Sequence, residues 1–508
     1  MKRLIVLIGY IITLSSYAQV TEDWVSPDSY YGKNGIMVAV DASDNVFTLS
    51  DIFNGDIYLT KRAADGTILW STGYDNTTSS QWEVASWVCI DGNGDAIVTG
   101  FTNTGFGSEW YPVQMVTMKF NGSDGVLEWR VTESTGSAHR GRVCAVDAEN
   151  NIYVSGDMNA FRTSYSDTGN QVLIKYAPDG TQIWKATTDE EGNSMPGPSV
   201  AMKFDSEGNI IIIGSPPFSY SQTTVKFSPD GICLWHVSFD GYGGPDIAID
   251  ASDNIYILGS MYVTDIDIVV RKVDSDGALL WENTYDFGSA NLSRRIVCDS
   301  EGNAIICGYG SQLTGMPYVD WLVFKINSSG TELWEHRYNE HANNDEWPLD
   351  IKIDNADNVY IIGQGGPWPG YFWTSLTQMV TVKYNPDGTN EWVALHTTYA
   401  SVGQSLCLAS DNSIYAVGQG NAVTIHYTQE TPPVCDTPTD LFANNITINK
   451  ARLNWTLVPG AFQYEVWYKK STASAWKKKI VPATSNKLNI KNLLCNTNYV
   501  WQIRTICD

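Results

Sequence analysis

What most limits the fold of this 508-residue chain is a tryptophan that returns eight times in one local setting, at Trp24, Trp70, Trp129, Trp184, Trp235, Trp281, Trp334 and Trp392. Self-similarity at a period of about 50 residues marks an array of supersecondary units, none of which can bury its apolar face alone. Between Met37 and Leu395 each unit reads like RVCAVDAENNIYVSGDMNA, a variable stretch, then NQVLIKYAPDGTQIWKATT, as it stands at 142–188. Short alternating runs separated by turn residues give four strands, a to d from the inside outward, and such a unit is a propeller blade.

The turns fix the register. Strand a runs into strand b through an Asp-led turn at Asp41, Asp91, Asp147, Asp205, Asp250, Asp299 and Asp354, with a degenerate copy at 409–413. Strand c ends at Asp-Gly in six copies and at Ser329-Gly330 in the seventh, and Trp follows that glycine by four residues each time. A constant offset is what a hairpin demands, because one residue of slip would turn the Trp to the other face. The last copy has strands a to c and no Trp strand, whereas Trp24 precedes any complete copy. The segment around Trp24 is therefore expected to supply the outer strand of an eighth blade and leave no free edge. The expected fold class is all-β: an eight-bladed propeller over 19–428, a linker at 429–435 and a β-sandwich over 436–508. The repeated Trp is expected to pack between blades. Lys61, Lys119, Lys175, Lys226, Lys272, Lys325 and Lys383 of strand c, with His426 in the eighth copy, are expected to be structural as well.

Residues 1–18 have the form of an export signal: Lys2 and Arg3, an apolar run from Leu4 to Leu14, and Ser16 and Ala18 before a cut after Ala18. No later apolar run is long enough to span a bilayer. The net charge of −24 is uneven, with ten basic and four acidic residues from Cys435 onward. The propeller segment carries 20 basic and 52 acidic residues, which argues against nucleic acid or an anionic membrane as its partner. Much of that acidity sits at turn positions, where Asp bonds its own backbone. Asp91, Asn93 and Asp95 look like half of a calcium loop without the closing glutamate, so calcium is carried as a candidate cofactor with no metal site assigned. Cys89, Cys144, Cys233, Cys298, Cys307 and Cys407 are isolated within apolar strands, without CxxC or metal-ligand spacing, and are expected to be inert.

The Asp-x-x-Gly-Asn-like turn, the YVSG or YILG strand and the KY-x-PDG-x-x-x-W hairpin, together with the leader, resemble the β-propeller repeats of secreted bacterial proteins over roughly 24–428. A weaker similarity is to the Trp-docked eight-bladed repeats of quinoprotein dehydrogenases and of outer-membrane assembly factors. The chain lacks the adjacent Cys-Cys pair of the former and the lipoprotein cysteine of the latter. Toward the end, ARLNWT at 451, YEVWYKK at 464 and NLLCNTNYVWQIRT resemble the B, C and F strands of a fibronectin type III domain, with Tyr499 at the tyrosine-corner position and no final strand. In that topology the resemblance implies a disulfide between Cys435 and Cys507.

The b-to-c and d-to-a connections are long, variable and on one end of every blade, so function is expected there. Aromatics of the b-to-c loops, Trp110, Tyr111, Trp368, Tyr371 and Trp373, suit stacking on sugars or proteins. From the d-to-a loops, Trp82, His139, Arg140, Arg142, Arg294, Arg295, His341, Glu346 and Trp347 are expected to rim the central funnel. The first expectation is an exported or cell-surface, monomeric, non-catalytic protein that presents this end to a glycan or protein, with the second domain as an adhesion unit. The alternative is a lyase-like enzyme using funnel Arg and His residues on an acidic polysaccharide.

Overall fold

The computed structural model describes residues 7–11, 19–26, 33–52, 55–74, 82–103, 113–133, 138–160, 162–163, 166–167, 169–187, 195, 197–215, 221–262, 265–311, 319–339, 345–365, 378–397, 402–419, 422–430, 438–459, 461–473, 476–495 and 497–507. No helix occurs among them. They divide into two compact units, Val20–Thr428 and a second made of Gln429–Asp508 with Met1–Gln19.

The larger unit holds eight four-stranded antiparallel sheets, the blades of a β-propeller. In blade 1, strands a to d are Lys33–Val40, Val46–Ile52, Ile57–Arg62 and Ile68–Tyr74, adjacent in chain order. Blades 2 to 7 repeat this plan. The eighth sheet joins Gly403–Leu408, Ile414–Gly418 and Val423–Glu430 to Gln19–Ser26, its outer strand. Each strand a touches the a strands of both neighbouring blades, and that of blade 8 touches that of blade 1, so the ring closes on its inner side too. Strands b are buried on both faces, hence near-continuous apolar runs such as Ile210–Gly214.

One clamp joins successive blades. In seven of the eight repeats the indole N–H donates to a carbonyl in the c-to-d turn of the next blade, among them Trp70 to Gly122 (3.1 Å), Trp129 to Pro178 (2.9 Å), Trp235 to Ser275 (2.9 Å) and, across the ring closure, Trp24 to Ala64 (2.8 Å). The blade after that of Trp392 is blade 8, whose outer strand comes from the N-terminal segment and which therefore has no such turn. The same ring lies on the turn glycine, where a Cβ at Gly125 would stand 2.6 Å from Trp70. That glycine also has φ +74°, so the turn demands it twice over. The strand-c lysine completes the clamp. Lys226 reaches the Ser275 carbonyl at 3.0 Å beside Trp235 and pairs at 2.8 Å with Asp205 of its own a-to-b turn. Burial pushes the Asp205 carboxyl up, but hydrogen bonds from Lys226 and Asn209 outweigh it and hold the group below its ordinary range. Asp205 Oδ1 meanwhile accepts the backbone N–H groups of Glu207 and Asn209, closing the turn.

A second period, of two blades, overlies the first. The left-handed residue of the a-to-b turn is Asp44, Asn150, Asp253 or Asp357 in odd blades and Gly94, Gly208 or Gly302 in blades 2, 4 and 6. Each odd-blade side chain accepts a backbone N–H from the turn before it, given by Ser410, Gly92, Ser206 and Ser300 at 2.7–2.9 Å. The second residue of strand b alternates likewise, Phe47, Tyr153, Tyr256 and Tyr360 in odd blades and Ile97, Ile211 and Ile305 in blades 2, 4 and 6, while blade 8, with Asn412 and Tyr415, follows the odd pattern. In the odd blades the strand-c ammonium stands 4.5–5.5 Å over that ring, a cation–π contact that isoleucine cannot offer.

In the smaller unit one sheet contains Tyr499–Cys507, Ala461–Lys470 and Lys477–Pro482, and the other Phe442–Asn444, Lys450–Asn454 and Lys487–Lys491. Leu453, Trp455, Tyr464, Val466, Trp501 and Ile503 form their common core. The Tyr499 hydroxyl accepts the Leu494 N–H at 3.0 Å. The apolar stretch Leu7–Ile11 runs parallel to Tyr499–Cys507 along its outer edge. Of the expected disulfide, Cys435 and the side chain of Cys507 lie outside the described residues.

Candidate functional site at the inner strands of blades 5 to 8

All eight strands a carry a β-bulge at one place, four to six residues before the turn. A bulge leaves a residue unpaired and re-aims its neighbours. The paired residue after it is Met37, Trp87, Val143 and Ala201 in blades 1 to 4, but Asp246, Arg295, Asp350 and Ser405 in blades 5 to 8. The inner ring thus has an apolar half and a polar half. Asp246 accepts the Ile296 N–H of blade 6 at 3.1 Å, and Asp350 accepts Ser405 Oγ and the Leu406 N–H of blade 8, both at 3.1 Å. Burial pushes the Asp350 carboxyl up, but Lys352 and Arg295 outweigh it and hold the group below its usual range.

Arg294 is the unpaired bulge residue of blade 6. Its guanidinium lies 5.1 Å over the ring of Tyr309 in strand b, and Tyr309 meets Trp347, the first residue of strand a in blade 7, at 6.0 Å. All three are partly exposed and lie toward the end that carries the long loops. A guanidinium and two rings in series form a surface on which a sugar ring or a peptide can stack.

Blade 3 is arranged differently. Asp157, 1% exposed, holds Arg140 at 3.4 Å and Arg142 at 2.7 Å, and Arg140 also lies over Phe101. His139 is buried, and burial, then the charge of Lys185, holds its imidazole below the usual range. It is therefore neutral at neutral pH. The arginines of blades 3 and 6 are three blades apart, so the funnel residues named from sequence form two sets. Glu346 is fully buried and its N–H donates to the Val319 carbonyl. Trp82 begins strand a of blade 2, its side chain outside the described residues, as are Trp110, Tyr111, His341, Trp368, Tyr371 and Trp373.

The half calcium loop at Asp91 is filled from within, since Lys119 Nζ stands 2.9 Å from Asp91 and 3.0 Å from Asp95. Sequence reasoning missed a different acidic group. Asp265 and Asp267 at the start of strand c and Asp286 after strand d of blade 5 bring carboxylate oxygens within 4.8 Å of one another. Burial, then the charges of Asp286 and Asp265, pushes the Asp267 carboxyl up to about 6. The alternation in TDIDIVVRK was the available signal, because period-2 spacing puts Asp265 and Asp267 on one face.

Two clefts open at the opposite, short-turn end, about 670 Å³ between blades 4 and 5 and about 480 Å³ between blades 5 and 6. Asp205, Lys226 and Trp235 line one, Asp250, Lys272 and Trp281 the other. These are the clamp residues, so the clefts are seams of the ring. Ile68, Leu69, Val126, Ile183, Ile232, Leu280 and Leu333, each at least 50% exposed, form an apolar row at the start of strands d.

No protein-family model matches the chain. An uncharacterized WD repeat-containing protein of Acanthamoeba polyphaga mimivirus is 22% identical over 416 residues, 73% of this chain. The matched region is 27% of that relative's own length. Among solved structures, the Dos1 propeller aligns over 80% of this chain and 95% of its own at TM-score 0.50 and 10% identity. The WD40 β-propeller domain of Doa1 aligns over 81% and 97%, at TM-score 0.41 and 11% identity. At these identities the likeness concerns architecture alone: the chain has the fold of a β-propeller.

Proposed function

We propose that this is an exported, non-catalytic interaction protein of the cell surface or surroundings, which presents the loop-bearing end of its propeller to a glycan or protein. The observation that carries this reading is the partly exposed Arg294–Tyr309–Trp347 series at the bulges of blades 6 and 7. A propeller confers no chemistry by itself, and what it offers is a rigid frame on which such a surface is held. Lys2, Arg3 and the apolar run before Ala18 support export. The two-sheet unit, with its Tyr499 hydroxyl contact, supports a fibronectin type III-like module that acts as spacer or adhesion unit. Against the lyase-like alternative stands His139, which is buried and neutral, with Arg140 and Arg142 committed to Asp157.

The test is affinity electrophoresis of residues 19–508 through neutral and acidic polysaccharides, with calcium or with chelator, for the native chain and for Trp347→Ala. Retardation with intact polymer, lost in Trp347→Ala, is the expected result. Polymer breakdown establishes the enzyme instead. No retardation in any gel removes the glycan and leaves a protein ligand.

A further inference from the structure

The sulfurs of Cys89 and Cys144 are 2.9 Å apart. They belong to the innermost strands of adjacent blades, Trp82–Ile90 of blade 2 and Ala138–Val146 of blade 3, and are 55 residues apart in the chain. Two unbonded sulfurs pack at well over 3 Å, while the covalent length is about 2.05 Å, so under ~1 Å of movement separates this contact from a bond. The pair sits in one apolar cluster with Trp87, Ile97, Ile152 and Val154. Cys144 is 2% exposed and Cys89 is partly exposed, so one of the two can be reached from solvent.

We propose that Cys89 and Cys144 are an oxidative cross-linking site which, on reaction with a disulfide-class oxidant, forms a disulfide joining blades 2 and 3. The inference does not rest on the ligand reading of the loop-bearing end. The Cys89 thiol loses its proton to solvent and its thiolate attacks one sulfur of the oxidant, expelling the first thiolate and leaving a mixed disulfide on Cys89. The Cys144 thiol then gives up its proton, and its sulfur attacks that of Cys89 and expels the second. In sum two protein thiols are oxidised by two electrons and one oxidant disulfide is reduced to two thiols. Burial, with Cys89 beside it, pushes the Cys144 thiol well up, so the second step is the slower one and the mixed disulfide is a transient. The bond would add a covalent cross-link between two blades otherwise held against each other by noncovalent contacts, among them packing, the Trp129 clamp and the Gly92–Asn150 hydrogen bond.

The experiment uses the full chain purified under reduction, then treated with oxidised glutathione and quenched with an alkylating agent under denaturing conditions, with peptide mapping by mass spectrometry. The expected product is a Cys89–Cys144 linked peptide lacking two hydrogens, absent from Cys89→Ser, and a thermal midpoint a few degrees above that of the reduced chain. The proposal is overturned if both cysteines remain alkylatable, or if glutathione stays on Cys89 without transfer to Cys144. Mapping separates this bond from any formed by the cysteines of the second unit.

Discussion

At the scale of single residues, the glycines of this chain serve two different ends. Gly125 and Gly208 both have positive φ, +74° and +79°, but a Cβ at Gly125 meets the Trp70 ring at 2.6 Å while one at Gly208 has Pro229 at 4.0 Å as its nearest neighbour. Gly208→Ala is expected to cost about 1 kcal/mol, the backbone penalty alone, and Gly125→Ala about 2–4 kcal/mol, because the indole must shift as well. Equal urea midpoints for the two variants would show that the Trp does not bear on the turn. Asp267 allows a second prediction, on pH. Its carboxyl is raised from 3.8 to about 6, so the folded chain holds this proton more tightly than the unfolded one. The stability it contributes is fully present below pH 3.8 and is lost as pH rises through about 6. Asp267→Asn should therefore gain roughly 1–3 kcal/mol on the native chain between pH 4 and pH 7.5, measured as the difference of two urea titrations. Asp51, also raised to about 6, stays in both proteins and cancels in that difference.

The blade is the next scale, and its repeating clamp can be tested as a unit. Lys226→Met leaves Asp205 buried and charged without its partner, which should cost about 3–5 kcal/mol. Asp205→Asn added to it keeps an oxygen for the turn N–H groups and removes the charge, so the double variant should recover at least half. A double variant no better than the single one would mean that the lysine matters through the Ser275 carbonyl rather than through the ion pair. This is also the scale at which the sequence is most legible. The Asp-led turn, the strand-c lysine and the Gly-to-Trp offset recur along the chain because each serves a contact within a blade or with the next one. Residues whose meaning depends on the ring are opaque by comparison. Cys89 and Cys144 read as isolated thiols, and only the approach of two inner strands brings their sulfurs together. The bulges that set Arg294 free and pair Asp246, Arg295 and Asp350 in one arc have no signature of their own, since a one-residue irregularity is invisible without its partner strand. The two-blade alternation of Asp44, Gly94, Asn150 and Gly208 was written in the turns, but its reason is a hydrogen bond between neighbouring blades.

For the whole molecule the decisive element is the strand Gln19–Ser26. It lies beside Val423–Glu430, and its contacts reach three blades: Glu22 meets His396 of blade 7 at 3.0 Å, Asp23 meets His426 of blade 8 at 3.2 Å, and Trp24 donates to Ala64 of blade 1 at 2.8 Å. On the proposed cut after Ala18 this strand would begin the mature chain, so closure of the ring and release from the leader would meet at one place. An open propeller exposes the edge of Val423–Glu430 and leaves the face of Gly66 without its indole. Removal of 19–26 is therefore expected to lower the thermal midpoint and to produce dimers or larger species by size-exclusion chromatography, as the free edge pairs with another copy. A synthetic peptide of those eight residues, added in excess, should restore both the midpoint and the monomer, because the missing contacts are local to the strand and need no covalent link. The same peptide with Trp24 replaced by alanine should rescue far less. If the shortened chain stays monomeric with an unchanged midpoint, the strand is an ornament on a ring held closed by its inner strands alone.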